Sequence, residues 1–353
     1  MWYERMIGIV FDGGGVKGSY QVGAYLALKK CGIKPDVITG TSIGALNGAF
    51  CVAKKEKLLK SLWLNIEFSK VFGLNEKNYN LALQNSIKSK MVGEIKILKD
   101  IIKSKGIDTL GIKRIIDKFI DEDEIRNSNI DFGLTTLNIN KLIPKDIFIS
   151  EIPAGKLKEY LLASAYLPVF KPSKIIDNNN YIDGGIYNTC PVNMCIDAGC
   201  DLIYVIRVKG IGYNKKIKKN NSKIVFIQTK NNLGSIIFTN HERCKYNMAL
   251  GYYDALKIVK HLDGECYYFK NCKEETYNRY VNSVSSKTLK KVQKVFKVKS
   301  NKKLVLRSFE YIMEKEKMPL FKIYSPFSLL IKLQLISNKD DIVYKFIKEM
   351  QIL

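Results

Sequence analysis

Two strand–turn–helix units fill the first fifty residues, and this pattern limits the fold more than any other sequence feature. The apolar run MIGIVF (6–11) stops at glycines and precedes a stretch of helical spacing, SYQVGAYLALKKCG (19–32). A second run, DVITG, leads through GTSIG (40–44) into the nearly uncharged SIGALNGAFCVA. Alternating short strands and helices are typical of parallel βαβ units covered on both faces. We therefore predict a three-layer α/β/α fold with a mostly parallel central sheet.

The rest of the chain divides into three parts. Residues 54–128 are lysine-rich with helical periodicity, which predicts a helical insertion that could form a lid. Further strands are predicted in DFGLTTLNI, KDIFISEI, DLIYVIRV and KIVFIQT. We also predict a hairpin in SKIIDNNNYIDGG that turns at NNN, and a helix in GKLKEYLLASAYLPVF that stops at Pro168. We place the main domain at 1–280 and a basic helical C-terminal extension at 281–353.

The charge of the chain is strongly positive. The net charge is +24, from 58 basic and 34 acidic residues, and residues 281–353 alone hold 16 basic and 6 acidic residues. Such a surface attracts polyanions, either nucleic acid or anionic lipid headgroups, although a general lysine bias explains it equally well. In TLKKVQKVFKVKSNKK, apolar residues recur at helical spacing between lysines. We expect this stripe to pack on the main domain; the alternative is a membrane-surface helix.

The pentapeptide GTSIG has the form G-x-S-x-G, with Ser42 between a predicted strand and a predicted helix. This context is typical of a nucleophile elbow, in which two glycines leave room for a tight turn. The amide of Ile43, at the start of the helix, could stabilise negative charge near the serine. A buried serine in a glycine-rich turn is the alternative.

A second glycine-rich segment, DGGGVKGSY, contains G-x-G-x-x-G at Gly13, Gly15 and Gly18. This spacing also occurs in dinucleotide-binding loops, but no acidic residue ends the next strand to hold a ribose. Successive glycine amides can instead cradle an oxyanion, with Lys17 adding positive potential. A third motif, YIDGG, places Asp183 after a short strand, where a turn aspartate is the alternative role.

Together, these motifs resemble those of the patatin-like phospholipase family. That family has a D-G-G-G-x-[KR]-G loop, a G-x-S-x-G elbow and a later D-G-[GA], and all three occur here in the same order. The segment ASAYLPVFKP (163–172) is similar to the family's A-S-x-x-x-P-x-x-F. The resemblance covers about residues 6–265.

The resemblance implies a Ser–Asp dyad, with Ser42 as nucleophile and Asp183 as base. A buried carboxyl has a raised pKa, which makes it a better base. The oxyanion would be held by the amides of Gly13, Gly14, Gly15 and Ile43. Supporting positions from the motifs are Asp12, Lys17, Gly18, Gly40, Gly44, Gly184 and Gly185.

The chain has only two histidines, His241 and His261, and neither lies in a recognisable motif. A histidine-assisted triad is therefore the less favoured mechanism. The eight cysteines include the evenly spaced Cys190, Cys195 and Cys200, but no ligand set for zinc and no calcium loop is visible. We expect reduced cysteines, no metal and no cofactor.

The predicted activity is hydrolysis of lipid acyl esters, of the phospholipase A or lysophospholipase type. The alternatives are a non-lipid esterase or acyltransferase with the same dyad, or a regulatory protein that binds anionic surfaces. A nucleic-acid partner is not expected, because the basic runs lack interleaved aromatic residues. The N-terminus does not resemble a signal peptide and no stretch could span a bilayer, so we expect a cytoplasmic protein with peripheral membrane contact.

Overall fold

The computed structural model describes residues 5–73, 76–88, 106–336 and 340–351. The chain forms two compact units, Met1–Ala255 and Leu256–Leu353. The predicted C-terminal extension, 281–353, lies within the second unit. No helix in the described ranges combines the length and the apolar character that a bilayer crossing requires.

The first unit is organised around one mixed sheet in which five strands are parallel. The strand order is β5-β6-β3-β2-β1-β7-β8, with β4 also paired to β3. The parallel set is β3-β2-β1-β7-β8, and β4, β5 and β6 are added in antiparallel fashion. The strands are β1 Ile7–Phe11, β2 Val37–Thr41, β3 Asp131–Asn138, β4 Ile143–Phe148, β5 Lys174–Ile176, β6 Asn179–Asp183, β7 Leu202–Ile206 and β8 Lys223–Ile227.

Helices cover both faces of this sheet, which confirms the predicted α/β architecture. The two N-terminal strands are almost entirely buried, as expected for the centre of a parallel sheet. The helices are α1 Ser19–Lys30, α2 Ile43–Val52, α3 Glu56–Asn65, α4 Phe68–Val71, α5 Glu76–Lys88, α6 Leu110–Phe119, α7 Glu122–Arg126, α8 Leu157–Ser164, α9 Val192–Asp197 and α10 His241–Val259.

The described residues of the predicted insertion at 54–128 are mostly helical. Helices α3 to α7 lie within it, whereas residues 74, 75 and 89–105 are outside the described residues. An amphipathic pattern predicts such helices well, because their apolar face must be buried against another element.

Two boundaries differ from prediction. Helix α8 ends at Ser164 rather than at Pro168, because the chain turns there and the Tyr166 carbonyl accepts a hydrogen bond from the Asp183 amide at 2.8 Å. The β5–β6 hairpin turns at Asp177 and Asn178, both of which have positive φ, so the turn begins one residue before NNN (178–180) and includes its first asparagine. An Asp-Asn pair tolerates this left-handed conformation better than most residues do.

The second unit has its own apolar core. Its described elements are β9 Tyr268–Phe269, β10 Ile323–Tyr324, α11 Glu274–Asn282, α12 Ser286–Phe296, α13 Asn301–Lys315, α14 Pro326–Gln334 and α15 Ile342–Glu349. Helix α12 buries Val292 fully, with Leu289 and Phe296 packed around the same cluster. The prediction that this stripe packs on the main domain is thus corrected, since the helix completes the core of the second unit instead.

Candidate active site

Strand register brings the three glycine motifs to one edge of the sheet. Phe11 of β1 pairs with Gly40 of β2, and Thr41 pairs with Thr135 of β3. The next residue of β3, Thr136, pairs with Asp183 at the end of β6. Because β1, β2 and β3 are parallel, the loops that follow β1 and β2 emerge at the same edge, beside Asp183.

Ser42 occupies a sharp turn between β2 and α2. Its φ is 57° and its ψ is −126°, a combination that costs energy in a residue other than glycine. The turn also requires close backbone contacts, since a Cβ atom at Gly44 would lie 2.3 Å from the Phe11 carbonyl oxygen. The local geometry is that of a nucleophile elbow, with a buried serine at the N-terminus of a helix.

Ser164 holds this turn in place. Its hydroxyl accepts a hydrogen bond from the Ser42 amide at 3.0 Å and donates one to the Thr135 carbonyl at 2.8 Å. All three groups are buried, so both bonds form away from water. The last residue of α8 thus connects the elbow to the central strand β3.

Asp183 is a buried carboxyl with one free oxygen. Oδ1 accepts a hydrogen bond from the Gly185 amide at 2.7 Å, whereas Oδ2 has no hydrogen-bond partner among the described residues. Burial raises the pKa of Asp183 to about 6, and the nearby Ser42 hydroxyl and the Gly185 amide limit that rise. The Ser42 hydroxyl is therefore close enough to affect the carboxylate, although no hydrogen bond of normal geometry reaches Oδ2.

The glycine-rich loop is anchored by Asp12, which is fully buried. Asp12 Oδ2 accepts hydrogen bonds from Arg207 Nε at 3.0 Å, the Val208 amide at 3.2 Å and the Lys209 amide at 3.0 Å. Burial raises the pKa of Asp12 to about 6, even though the Arg207 guanidinium and the two amides lower it. Asp12 is thus tied to the chain that follows β7 and serves as a structural anchor.

The amides of the predicted oxyanion set differ in their hydrogen bonding. The Gly13 amide donates to the Thr189 carbonyl at 2.7 Å, so it is not free to bind an oxyanion, and its inclusion in the set is corrected. Within the described part of the chain, the amides of Gly14, Gly15 and Ile43 make no hydrogen bond. These three remain as candidate donors around Ser42.

An apolar cavity opens beside Ser42. Its volume is about 130 Å³, and Gly15, Ser42 and Ile43 contribute to its wall. The predicted insertion supplies nearly half of the lining, through Leu59, Leu62, Trp63, Ile66, Phe68, Val71, Phe72, Ile112, Ile115 and Ile116. The cavity is therefore shaped for an apolar group held next to the serine hydroxyl.

The patatin-like phospholipase family model matches residues 9–196, which is more than half of the chain and contains all three motifs. The chain belongs to the patatin-like phospholipase family.

Curated relatives are similar over this same part of the chain. A lysophospholipase nte1 of Aspergillus terreus is 27% identical over 212 residues, which is 60% of this chain but 12% of the relative. The patatin-like phospholipase domain-containing protein 7 of Rattus norvegicus is 26% identical over 211 residues, which is 57% of this chain and 13% of the relative. The chain thus spans about an eighth of the length of these relatives.

Two solved structures are similar over most of the chain. VipD from Legionella pneumophila has a TM-score of 0.46 at 12% identity, covering 98% of this chain and 83% of VipD. The type III effector ExoU has a TM-score of 0.36 at 12% identity, covering 98% of this chain and 74% of ExoU.

A buried polar network connects the patatin-like site to the insertion. Trp63 Nε1 of α3 donates to Asn47 Oδ1 at 3.1 Å, and Asn47 Nδ2 donates to the Gly18 carbonyl at 3.0 Å and to Gln21 Oε1 at 2.9 Å. Gln21 in turn donates to the Asp12 carbonyl. The cavity wall, the helix after Ser42 and the glycine-rich loop are therefore held in a fixed mutual arrangement.

The two histidines lie outside the cavity. A ring nitrogen of His241 is hydrogen-bonded to the Ile66 carbonyl at 2.8 Å, and His261 belongs to the second unit. Neither contributes to the described lining of the cavity beside Ser42. His241 thus attaches the insertion to the start of α10.

Several residues of the candidate site were not predicted from the sequence. Ser164 lies in a segment that carries the family resemblance, but nothing in its sequence context indicates a hydrogen bond to a residue 122 positions away. Asn47, Trp63 and Arg207 have no motif at all. Among the predicted supporting residues, Lys17 lies in the turn Gly15–Gly18, and Gly18 leaves space that the Ile43 and Trp63 side chains occupy.

Proposed function

We propose that this chain is a lipid acyl hydrolase that uses a Ser42–Asp183 dyad. One observation carries the proposal: a buried carboxyl with a raised pKa and a free oxygen lies next to a strained serine at the wall of an apolar cavity. A carboxylate with a pKa of about 6 is ionised at neutral pH, yet is a much stronger base than an exposed aspartate.

The reaction follows from these two side chains. Asp183 Oδ2 accepts the Ser42 proton while Oγ attacks the ester carbonyl, which forms a tetrahedral intermediate. Collapse of this intermediate breaks the ester bond, and Asp183 returns the proton to the leaving alcohol. A water molecule then attacks the acyl-serine while Asp183 accepts its proton, and the bond between Ser42 Oγ and the acyl carbon breaks. Asp183 passes that proton to Ser42 Oγ, and the fatty acid leaves.

Three backbone amides near Ser42 are available to stabilise the negative charge that develops on the ester carbonyl oxygen. The N–H groups of Gly14, Gly15 and Ile43 are the candidate donors for the oxyanion, and helix α2 directs its positive N-terminal end toward Ser42. One such donor typically contributes about 3 kcal/mol to transition-state stabilisation.

The apolar cavity supports an acyl chain as the group next to the reacting carbonyl. Apart from Ser42 and Asn47, the described side chains that line it are apolar. An alkyl chain that enters this cavity gains hydrophobic free energy of about 0.8 kcal/mol per methylene, whereas a polar headgroup would lose its hydration there.

The names of the relatives agree with this proposal. The Aspergillus terreus relative is a lysophospholipase, which favours the phospholipase A or lysophospholipase type over a soluble-ester hydrolase. The cytoplasmic location predicted from the sequence stays a prediction.

Mass spectrometry of the products from mixed phospholipid and lysophospholipid vesicles tests the proposal. The wild-type chain should release free fatty acids, and Ser42→Ala should release none. Ser308→Ala removes another buried serine hydroxyl, which donates to the Leu304 carbonyl at 2.8 Å, and serves as the matched control. Cleavage of short-chain soluble esters with intact vesicle lipids would indicate the esterase alternative, and no cleavage of either would leave a binding role.

A further inference from the structure

A long segment of the second unit carries positive charge only. Residues 276–309 contain ten lysine and arginine residues and no aspartate or glutamate. The segment includes all of α12 and most of α13. These residues are close together in the sequence, but the fold determines whether their side chains lie on one surface or are spread over several.

Helix α12 brings part of this positive charge onto one face. Lys290 and Lys291 each lie three or four residues from Lys287 on one side and from Lys294 on the other, which places the four lysines on one face. We call these four residues the lysine stripe. All four are exposed, and none makes an ion pair with a described residue. The opposite face of the helix buries Val292 in the core, so the stripe is held outward.

The nearby acidic residues do not neutralise the stripe. Glu349 accepts hydrogen bonds from the Ser285 amide and hydroxyl and from the Thr288 hydroxyl, each at 2.9 Å, at the start of α12. Glu274 accepts from the Ser300 hydroxyl at 3.1 Å at the start of α13. Glu349 is paired with Lys345 at 3.8 Å, and no described carboxylate forms an ion pair with a lysine of the stripe.

Like charges three and four residues apart destabilise a helix, and a multivalent anionic surface relieves that repulsion. The residue next to the stripe is the aliphatic Val295, which is 52% exposed. The aromatic residue of α12, Phe296, packs against Tyr311 and offers no free ring for stacking on bases. These features favour a headgroup layer over a nucleic acid.

We propose that the lysine stripe binds the anionic surface of a phospholipid bilayer. This rests on the proposed function, since a hydrolase with an apolar acyl cavity takes its substrate from such a surface. The apolar face of α12 is already used in the core, so the helix lies on the headgroups without inserting, and binding is electrostatic. Each lysine near an anionic bilayer contributes about a fivefold gain in affinity, which is lost as salt screens it.

Vesicle co-sedimentation of the full chain tests this proposal, with phosphatidylcholine vesicles that contain about 30% phosphatidylserine. The stripe variant changes all four lysines to Gln. The control variant has the same net charge and changes four other exposed lysines to Gln, Lys34, Lys174, Lys216 and Lys219. The stripe variant should lose at least about tenfold in affinity, and the control less than about twofold.

Equal losses in the two variants would overturn the proposal, because general charge would then explain the binding. Tighter, stripe-dependent binding to single-stranded RNA at the same salt concentration would overturn it in favour of nucleic acid. Hydrolysis of a soluble short-chain ester is measured in parallel and should be unchanged in the stripe variant. If soluble and vesicle substrates both stay uncleaved by the wild-type chain, the proposed function fails while the binding result still stands.

Discussion

Asp12 and Asp183 are both buried with a pKa raised to about 6, but their environments differ. Asp12 has an arginine and two backbone amides around one oxygen, which is the environment of a structural carboxylate. Asp183 has one amide and the Ser42 hydroxyl near it, and no positively charged side chain among the described residues lowers its pKa. Asp12 is thus held in an ion pair with Arg207, whereas Asp183 lies within the influence of the Ser42 hydroxyl and is the carboxylate placed to act as its base.

The pH dependence of hydrolysis follows from this difference. The carboxylate form of Asp183 is the active base, so kcat/KM should rise with pH through about 6 and level off above it. A soluble short-chain ester avoids changes in vesicle charge during the titration. An acid limb centred near the ordinary aspartate value of 3.8 would contradict the assignment.

Ser164 gives a second prediction for a single residue. Ser164→Ala leaves the Ser42 amide without its acceptor, and a buried unsatisfied donor costs about 1–3 kcal/mol. We expect kcat to fall about tenfold to a hundredfold with a small change in KM, because the elbow rather than the cavity is disturbed. Ser308→Ala, which also removes a fully buried hydroxyl, should leave kcat unchanged. Equal kcat for Ser164→Ala and the wild type would show that the hydrogen bond does not position Ser42.

The elements of the insertion determine the shape of the cavity. Trp63 of α3 lines the cavity and is anchored to Asn47, so its ring position is fixed relative to Ser42. The insertion lines the cavity, whereas Ser42 and Asp183 lie at the sheet edge, so we expect acyl selectivity to depend on the insertion and the reaction on the sheet edge.

Trp63→Ala should therefore enlarge the cavity and shift the preferred acyl chain toward longer or bulkier groups. The loss of packing should lower the free energy of unfolding by about 3–5 kcal/mol. Trp63→Phe keeps most of the ring and loses only the bond to Asn47, so it should cost about 1 kcal/mol and keep the wild-type preference. Chain-length profiles of the two variants with a series of p-nitrophenyl esters check this, and identical profiles would contradict it.

Sequence reasoning predicted some of these elements and could not predict others. The parallel strands, α1 and α2 follow from local patterns, since buried strands are apolar runs and glycines mark the turns. The end of α8 at Ser164 does not follow from a local pattern. It depends on the hydrogen bond between Ser164 and the Ser42 amide and on the one between the Tyr166 carbonyl and the Asp183 amide. The hydrogen bond from the Gly13 amide to the Thr189 carbonyl also joins residues that are far apart in the sequence, so local patterns do not predict it.

At the scale of the whole molecule, the chain consists of two units with separate cores. The second unit has a cluster of fully buried apolar side chains that includes Phe309 and Phe346. Composition indicates a basic helical C-terminal part, but the position of the division at Ala255 is not visible in the sequence, because it falls inside α10.

Phe309→Ala tests whether the units are independently stable. A cavity at this fully buried position should cost about 3–5 kcal/mol, and the loss should be confined to the second unit. Calorimetry should show one transition moved to lower temperature, while soluble-ester hydrolysis persists up to the wild-type temperature. Loss of hydrolysis together with the shifted transition would show that the two units unfold as one.

In the proposed mechanism, Asp183 activates Ser42 without a histidine. Labelling with a fluorophosphonate probe, followed by intact-mass spectrometry, measures serine reactivity independently of any lipid. We expect one label on the wild-type chain and on the His241→Ala, His261→Ala double variant at similar rates, none on Ser42→Ala, and at least about a hundredfold slower labelling of Asp183→Asn. A folded double-histidine variant that does not label, or an Asp183→Asn variant that labels at the wild-type rate, would contradict it.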